Sequence, residues 1–79
     1  MKNIIIFYRP TCPFCLRAMQ LLFAAYPIAT FQLYNVSARP DLIDILRDFE
    51  PNARTYPQIW IDDAYIGGCD ALQTYLGAR

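Results

Sequence analysis

Two cysteines separated by two residues, Cys12-Pro13-Phe14-Cys15, could do redox chemistry. A thiol pair at this spacing can cycle between dithiol and disulfide. The neighbourhood strengthens that reading. The pair follows an apolar, β-rich run at residues 3–8 and the loop Arg9-Pro10-Thr11, and it opens a stretch with helical periodicity. A helix N-terminus presents free backbone N–H groups and the positive end of the macrodipole, both of which favour an anion. Cys12 is therefore the expected thiolate nucleophile, with Arg9 three residues upstream as a second source of positive charge. Cys15 lies one turn deeper on the same face and is expected to be less exposed, as suits a resolving thiol. Two other readings remain open. The pair could be half of a metal site shared between two chains, since three Cys and no His fall short of a tetrahedral set within one chain. It could also be two unrelated core cysteines, which the strand–loop–helix setting disfavours.

Two further segments bear on the pair. Thr55-Tyr56-Pro57 places a proline at the start of a strand-like run. By frequency alone that X-Pro bond is trans. Were it cis, the Tyr56 backbone would lie edge-on beside Cys12, free to pair with a peptide-like ligand as an added strand. Gly67-Gly68-Cys69-Asp70 is either a plain strand-to-helix turn capped by Asp70 or a place for close approach by a ligand's backbone. On the second reading the following helix offers N–H groups to a carboxylate, and Asp70 can receive an α-amino group. Cys69 reads first as a small packed hydrophobe. Phe14, between the cysteines, is a candidate lining of a substrate groove. Phe7, Phe23, Phe31, Phe49, Trp60 and Tyr75 fall on strand or helix faces and are expected in the core. Asp41, Asp44 and Asp48 read as a solvated helix face.

The chain as a whole limits what such a site can be. Its 79 residues leave room for one domain, residues 1–79. Hydrophobic residues make up 56%, which is a folding composition. A chain this small buries only about two-thirds of its unfolded surface, so any site is expected to be a surface groove. Seven basic residues balance seven acidic ones, which argues against nucleic acid or an anionic membrane as a partner recruited by bulk charge. The absence of histidine excludes a His base and leaves thiol, carboxylate, Tyr and Lys chemistry. Three cysteines do not make the paired framework of a secreted disulfide scaffold. The opening run from Ile4 to Tyr8 is too short for a signal core or a membrane span, so the expected location is the cytosol, where thiols stay reduced.

The elements that position these residues follow from the punctuation. Residues 3–8 are apolar at consecutive positions, as in a strand buried on both faces. Thr11 reads as an N-cap with Pro13 in the first turn of a helix. Leu16, Met19, Leu22, Phe23 and Tyr26 give that helix its apolar spacing from Phe14 to Tyr26, and Pro27 ends it. Residues 29–36 form a second strand. Ser37-Ala38-Arg39-Pro40 opens a second helix, with Asp41 in its first turn and Leu42, Ile45, Leu46 and Phe49 as its stripe. Glu50-Pro51-Asn52 closes it. Pro57 starts a third strand, Gln58 to Ile61, and Asp62-Asp63 turns it into a short fourth, Ala64 to Ile66. Gly67-Gly68 ends the ladder, and residues 69–77 form a last helix. The order is β-α-β-α-β-β-α. Its first two strands are parallel through a right-handed crossover and its last two antiparallel, giving a four-stranded mixed α/β sheet with three helices.

Together, Cys12-Pro13-Phe14-Cys15, Thr55-Tyr56-Pro57-Gln58-Ile59 and Ile66-Gly67-Gly68-Cys69-Asp70-Ala71-Leu72 resemble the glutaredoxin family of the thioredoxin-like superfamily. The resemblance runs from Ile4 to Leu76. The CxxC is common to the superfamily, whereas the Gly-Gly-Cys-Asp segment looks like the glutathione-binding segment that separates glutaredoxins from thioredoxins. The resemblance implies a thioredoxin-like fold and a glutathione-dependent thiol–disulfide oxidoreductase. It makes Cys12 the nucleophile, Cys15 the resolving thiol and Pro57 a cis-proline. Arg9 stands where the family usually has a Lys that meets the glycine carboxylate of glutathione. Tyr56 stands where a Val usually pairs its backbone with the cysteinyl part, with Thr55 before it, and Gly68, Cys69 and Asp70 match residues around the γ-glutamyl end. Arg39 aligns loosely with a basic residue near the start of the second helix. Phe14 replaces a common Tyr and Tyr56 a common Val, which bears on substrate preference. Asp62-Asp63 replaces an Asn-Gly-like turn.

The implied partners are glutathione, disulfide-containing or glutathionylated proteins, and by similarity ribonucleotide reductase, acted on by a monomer with no metal. A relative served by thioredoxin reductase would have a different pattern after the cis-proline. A non-enzymatic iron–sulfur carrier would pair two chains through Cys12 with two glutathiones, which Pro13 and Cys15 disfavour.

Overall fold

The structure, a computed structural model, describes residues 1–78. Its elements are β1 (Asn3–Tyr8), α1 (Pro13–Ala25), β2 (Thr30–Asn35), α2 (Asp41–Phe49), β3 (Gln58–Ile61), β4 (Ala64–Gly67) and α3 (Cys69–Ala78). The strands form one sheet in the order β2-β1-β3-β4. β1 runs parallel to β2, with Ile4 opposite Phe31 and Phe7 opposite Tyr34. It runs antiparallel to β3, with Ile6 opposite Ile59. β3 and β4 form an antiparallel hairpin with an irregularity between Ile59 and Trp60. Element order and mixed sheet are those expected from the sequence.

The consecutive apolar residues of β1 divide between two faces, because alternate strand residues point to opposite sides. Ile4 and Ile6 join Ile59 and Ile61 under Ala18 and Leu22 of α1 and Leu72 of α3. Phe7 joins Val36 on the other face, under Leu42 and Leu46 of α2. Burying a Leu, Ile or Phe side chain contributes about 1.5–3 kcal/mol, so β1 is held from both sides. That fixes its last residue, from which the loop to α1 departs. Among the described residues no helix is long and apolar enough to cross a membrane.

Asp62 and Asp63 join β3 to β4 with φ of 50° and 68°. Two left-handed residues in succession make a type I′ turn, whose twist matches that of the flanking strands. Asp62 is held there by its neighbours. Its Oδ1 accepts the Asn3 N–H at 2.9 Å, and its Oδ2 meets Lys2 Nζ at 3.2 Å. Its own N–H donates to the Asn3 carbonyl at 2.8 Å. The turn is thereby tied to the start of β1. The Asn3 N–H, and after it Lys2, hold the Asp62 carboxyl below the usual carboxylate range.

Several expectations need correction. The N-cap of α1 is Cys12 and not Thr11, because Pro13 is the first helical residue and the residue before it takes the extended φ/ψ of a cap (−94°, 115°). The helix ends at Ala25, one residue early, with the Tyr26 N–H closing on the Leu22 carbonyl at 2.9 Å. β4 includes Gly67, whose φ of 115° suits glycine and lets the ladder run one residue further. Two aromatic residues expected in the core are on the surface: Phe23 is 44% exposed and Phe49 is 70% exposed. Each packs edge-on against one aromatic neighbour, Phe31 and Trp60 respectively, and meets solvent on the other side.

Candidate active site

The dithiol sits where β1 hands over to α1. Cys12 is half-buried and Cys15 is buried, 1% exposed. As N-cap, Cys12 accepts the Cys15 backbone N–H on its sulfur at 3.2 Å, satisfying one of the free donors of the first turn. Its S–H donates to the Tyr56 carbonyl at 3.6 Å. A thiolate at this position would lose the second bond and strengthen the first, since an anion is the better acceptor. The Cys15 thiol is pushed up to about 12, chiefly by burial and then by the Cys12 side chain, with the Arg9 backbone N–H opposing. Cys15 is therefore protonated at neutral pH.

The Tyr56–Pro57 bond is cis, against the frequency-based default and in line with the resemblance. The strand–loop junction is pinned from below by Gln58, which is buried. Its Nε2 donates to the Thr55 carbonyl at 2.8 Å, and its Oε1 accepts the Tyr65 hydroxyl. Thr55 itself is exposed and Tyr56 half-buried. The Arg9 guanidinium lies over the Tyr56 ring, 4.8 Å from its centroid, and Arg9 Nη1 donates to Ser37 Oγ at 3.3 Å. Arg9, Cys12 and Tyr56 thus meet in one place. The roles of Ser37 and Gln58 were not foreseen. Gln58 left a signal, a lone amide in the apolar run Ile59-Trp60-Ile61, whereas an exposed loop serine leaves none.

The last segment is more divided. Of its two glycines it is Gly67 that the backbone demands, by its positive φ and by the Ala71 Cβ that an added Cβ would meet at 3.1 Å. Gly68 sits beside the Pro57 carbonyl, 3.5 Å from where its Cβ would be, and its own carbonyl takes the Leu72 N–H. Asp70 is exposed in the first turn of α3, one residue past the helix start, and is not the cap. Cys69 packs into the core with Ile59 and Leu72 and is buried. Burial pushes its thiol up, opposed by the positive charge of Arg17 and reinforced more weakly by Asp70 and Cys12. Phe14 is 62% exposed at the second position of α1. Arg39 is engaged by Asp41 at 2.7 Å. It lines a cavity of about 560 Å³ on the α2 face, with Phe7, Leu42, Phe49 and Trp60, to which neither active-site cysteine contributes.

A four-stranded mixed sheet with α1 and α3 on one face and α2 on the other, carrying a dithiol at the start of α1 beside a cis-proline, is a thioredoxin-like fold. The glutaredoxin family model matches residues 4–66, and the chain belongs to that family. A glutaredoxin of Pseudomonas aeruginosa is 36% identical over 73 residues, spanning 91% of this chain and 82% of the relative. Glutaredoxin 3 of Escherichia coli K12 is 37% identical over 78 residues, spanning 91% and 83%. The solution structure of glutaredoxin from Brucella melitensis shares the fold with a TM-score of 0.73 at 37% identity, over 96% of this chain and 79% of that one. Members of the family are thiol–disulfide oxidoreductases, and the adjacent Cys12 and Cys15 supply that chemistry here.

Proposed function

We propose that this protein reduces glutathione mixed disulfides and protein disulfides with glutathione as the electron donor. The observation that carries the reading is the surroundings of the Cys12 sulfur. It caps α1, faces the Tyr56 backbone and lies in the group that includes Arg9.

On a glutathionylated protein, the Cys12 thiolate attacks the glutathione sulfur. The protein–glutathione S–S bond breaks, a Cys12–glutathione bond forms, and the protein leaves as a thiolate that takes a proton. A second glutathione thiolate then attacks the bound glutathione sulfur. That releases oxidised glutathione and restores the Cys12 thiolate. On a protein disulfide, Cys12 forms a mixed disulfide with one substrate sulfur and frees the other. Cys15 gives up its proton, attacks the Cys12 sulfur and expels the remaining substrate thiol. Two glutathiones then reduce the Cys12–Cys15 disulfide. The protonated state of Cys15 fits this order, because a resolving thiol held in reserve does not compete for the first attack.

Glutathione binds in an open groove. Arg9 meets its glycine carboxylate, the Tyr56 backbone pairs with its cysteinyl unit ahead of Pro57, and Thr55 and Phe14 border the groove. Gly68 and the Cys69 backbone at the start of α3 receive the γ-glutamyl carboxylate, and Asp70 its α-amino group. The protein acts as a monomeric single domain in the cytosol. Its protein substrates are glutathionylated or disulfide-bonded, with ribonucleotide reductase suggested by family similarity. Turnover of a small glutathione mixed disulfide, coupled to glutathione recycling, tests the reading; Cys12→Ser is expected to be inactive.

A further inference from the structure

The Tyr56 side chain has no part in the backbone pairing assigned to its residue, yet it is in direct contact with Arg9. We propose that the Tyr56 ring is a positioning element that holds the Arg9 guanidinium at the carboxylate end of the groove. This rests on the reading that Arg9 receives the glycine carboxylate of glutathione.

The geometry supports it in three ways. The guanidinium carbon stands 4.8 Å from the ring centroid, within cation–π range. A guanidinium that lies face-on to a ring keeps its edges for hydrogen bonds, so a contact of that kind leaves the donors free. One donor goes to Ser37 Oγ at 3.3 Å, and the others remain to make the two parallel bonds a carboxylate accepts. Tyr56 also touches the reacting sulfur through its carbonyl, 3.6 Å from Cys12 Sγ. One residue therefore sets the spacing between the nucleophile and the cation that would anchor the far end of the same ligand. An unstacked Arg side chain would have to be ordered at each binding event, and a ring that orders it beforehand lowers KM without touching the chemical step.

The test measures KM and kcat for a glutathione mixed disulfide and for its glycyl ethyl ester, in which the carboxylate charge is removed. Tyr56→Leu is expected to raise KM for the acid about two- to five-fold, the range of an exposed cation–π contact, with kcat little changed. Tyr56→Val serves the same purpose if the Leu variant folds poorly. Tyr56→Phe keeps a ring and is expected to restore KM. On the ester, Tyr56→Leu and wild type are expected to have the same KM. Arg9→Gln should raise KM for the acid and not for the ester. Unchanged KM in Arg9→Gln would overturn the carboxylate assignment, and the proposal with it. A raised KM in Arg9→Gln with none in Tyr56→Leu would overturn the proposal alone. So would an equal rise on acid and ester in Tyr56→Leu, which would mean that the ring touches the ligand directly.

Discussion

Cys12 caps α1 through its sulfur, and the same sulfur is the proposed nucleophile. The two roles separate under substitution. A serine hydroxyl is among the preferred caps, so Cys12→Ser is expected to unfold at the wild-type temperature while losing its activity. Cys12→Ala leaves the Cys15 N–H without its cap and is expected to lose about 0.5–1 kcal/mol in denaturant titration. Equal stability of the Ala and Ser variants would contradict the capping role. Cys15 makes a second expectation, in pH. Its folded-state value of about 12 exceeds the ordinary 9.0, so the unfolded chain releases that proton first. The resulting stabilisation is whole below about pH 9 and is lost as pH rises towards 12. At neutral pH, brief alkylation followed by peptide mass mapping should mark Cys12 and leave Cys15 unmodified; a first label on Cys15 would contradict the division of labour. The letters alone made both cysteines legible, because a CxxC behind a buried strand is a dense signal. The cap was misread because Thr11 is the commoner capping type, and only the backbone shows that Cys12 occupies the position.

At the scale of elements, the β3–β4 turn is the most exposed to a simple test. Asp62 has three contacts at its left-handed position, with Asn3 and Lys2. Asp63 has the same backbone conformation, at φ 68°. A non-glycine residue in that region costs about 1–2 kcal/mol, against about 0.4–1 kcal/mol for glycine's greater freedom in the unfolded chain. Asp63→Gly is therefore expected to be neutral to stabilising by up to about 1.6 kcal/mol, read as a higher denaturant midpoint with unchanged slope. A clear loss of stability would mean that the Asp63 side chain does something in the fold. The turn's location was readable from two consecutive aspartates between apolar runs, and its handedness was not. The same limit applies to α2. Its spacing of Leu42, Ile45, Leu46 and Phe49 marks a stripe, yet only Leu42 and Leu46 are buried. Periodicity tells which residues share a side of a helix, and packing against the sheet decides how far round that side the cover reaches.

For the whole molecule, the three segments singled out in sequence, and the turn that carries Ser37, come together because of topology. β1 delivers Arg9 and Cys12 at its C-terminal end, and the turn after β2 brings Ser37 to Arg9. The chain before β3 places Tyr56 against both Arg9 and Cys12. The start of α3 sets Gly68 beside the Pro57 carbonyl. Loops at the carboxyl ends of parallel strands commonly form binding sites in α/β folds. The order β2-β1-β3-β4 puts β1 inside the sheet, with its loop between the others. Hydrophobic pattern and turn spacing carried enough information for the element order and the sheet. They did not carry the cis state of Tyr56–Pro57, which came from resemblance, nor the stacking of Arg9 on Tyr56, which depends on three loops meeting. Charge is balanced over the whole chain, so under the proposed function the local placement of Arg9 and Asp70 does the work of recognising a small zwitterionic ligand.

The central claim is that Cys12 alone performs the first attack, with glutathione as donor and Cys15 needed only to resolve protein disulfides. The most direct measurement is the rate on a small glutathione mixed disulfide, coupled to glutathione reductase, for wild type, Cys12→Ser and Cys15→Ser. Cys15→Ser should retain activity on that substrate and lose it on a protein disulfide, and Cys12→Ser should be inactive on both. Measurable turnover by Cys12→Ser, or recycling of the wild type by thioredoxin reductase and not by glutathione, would contradict it.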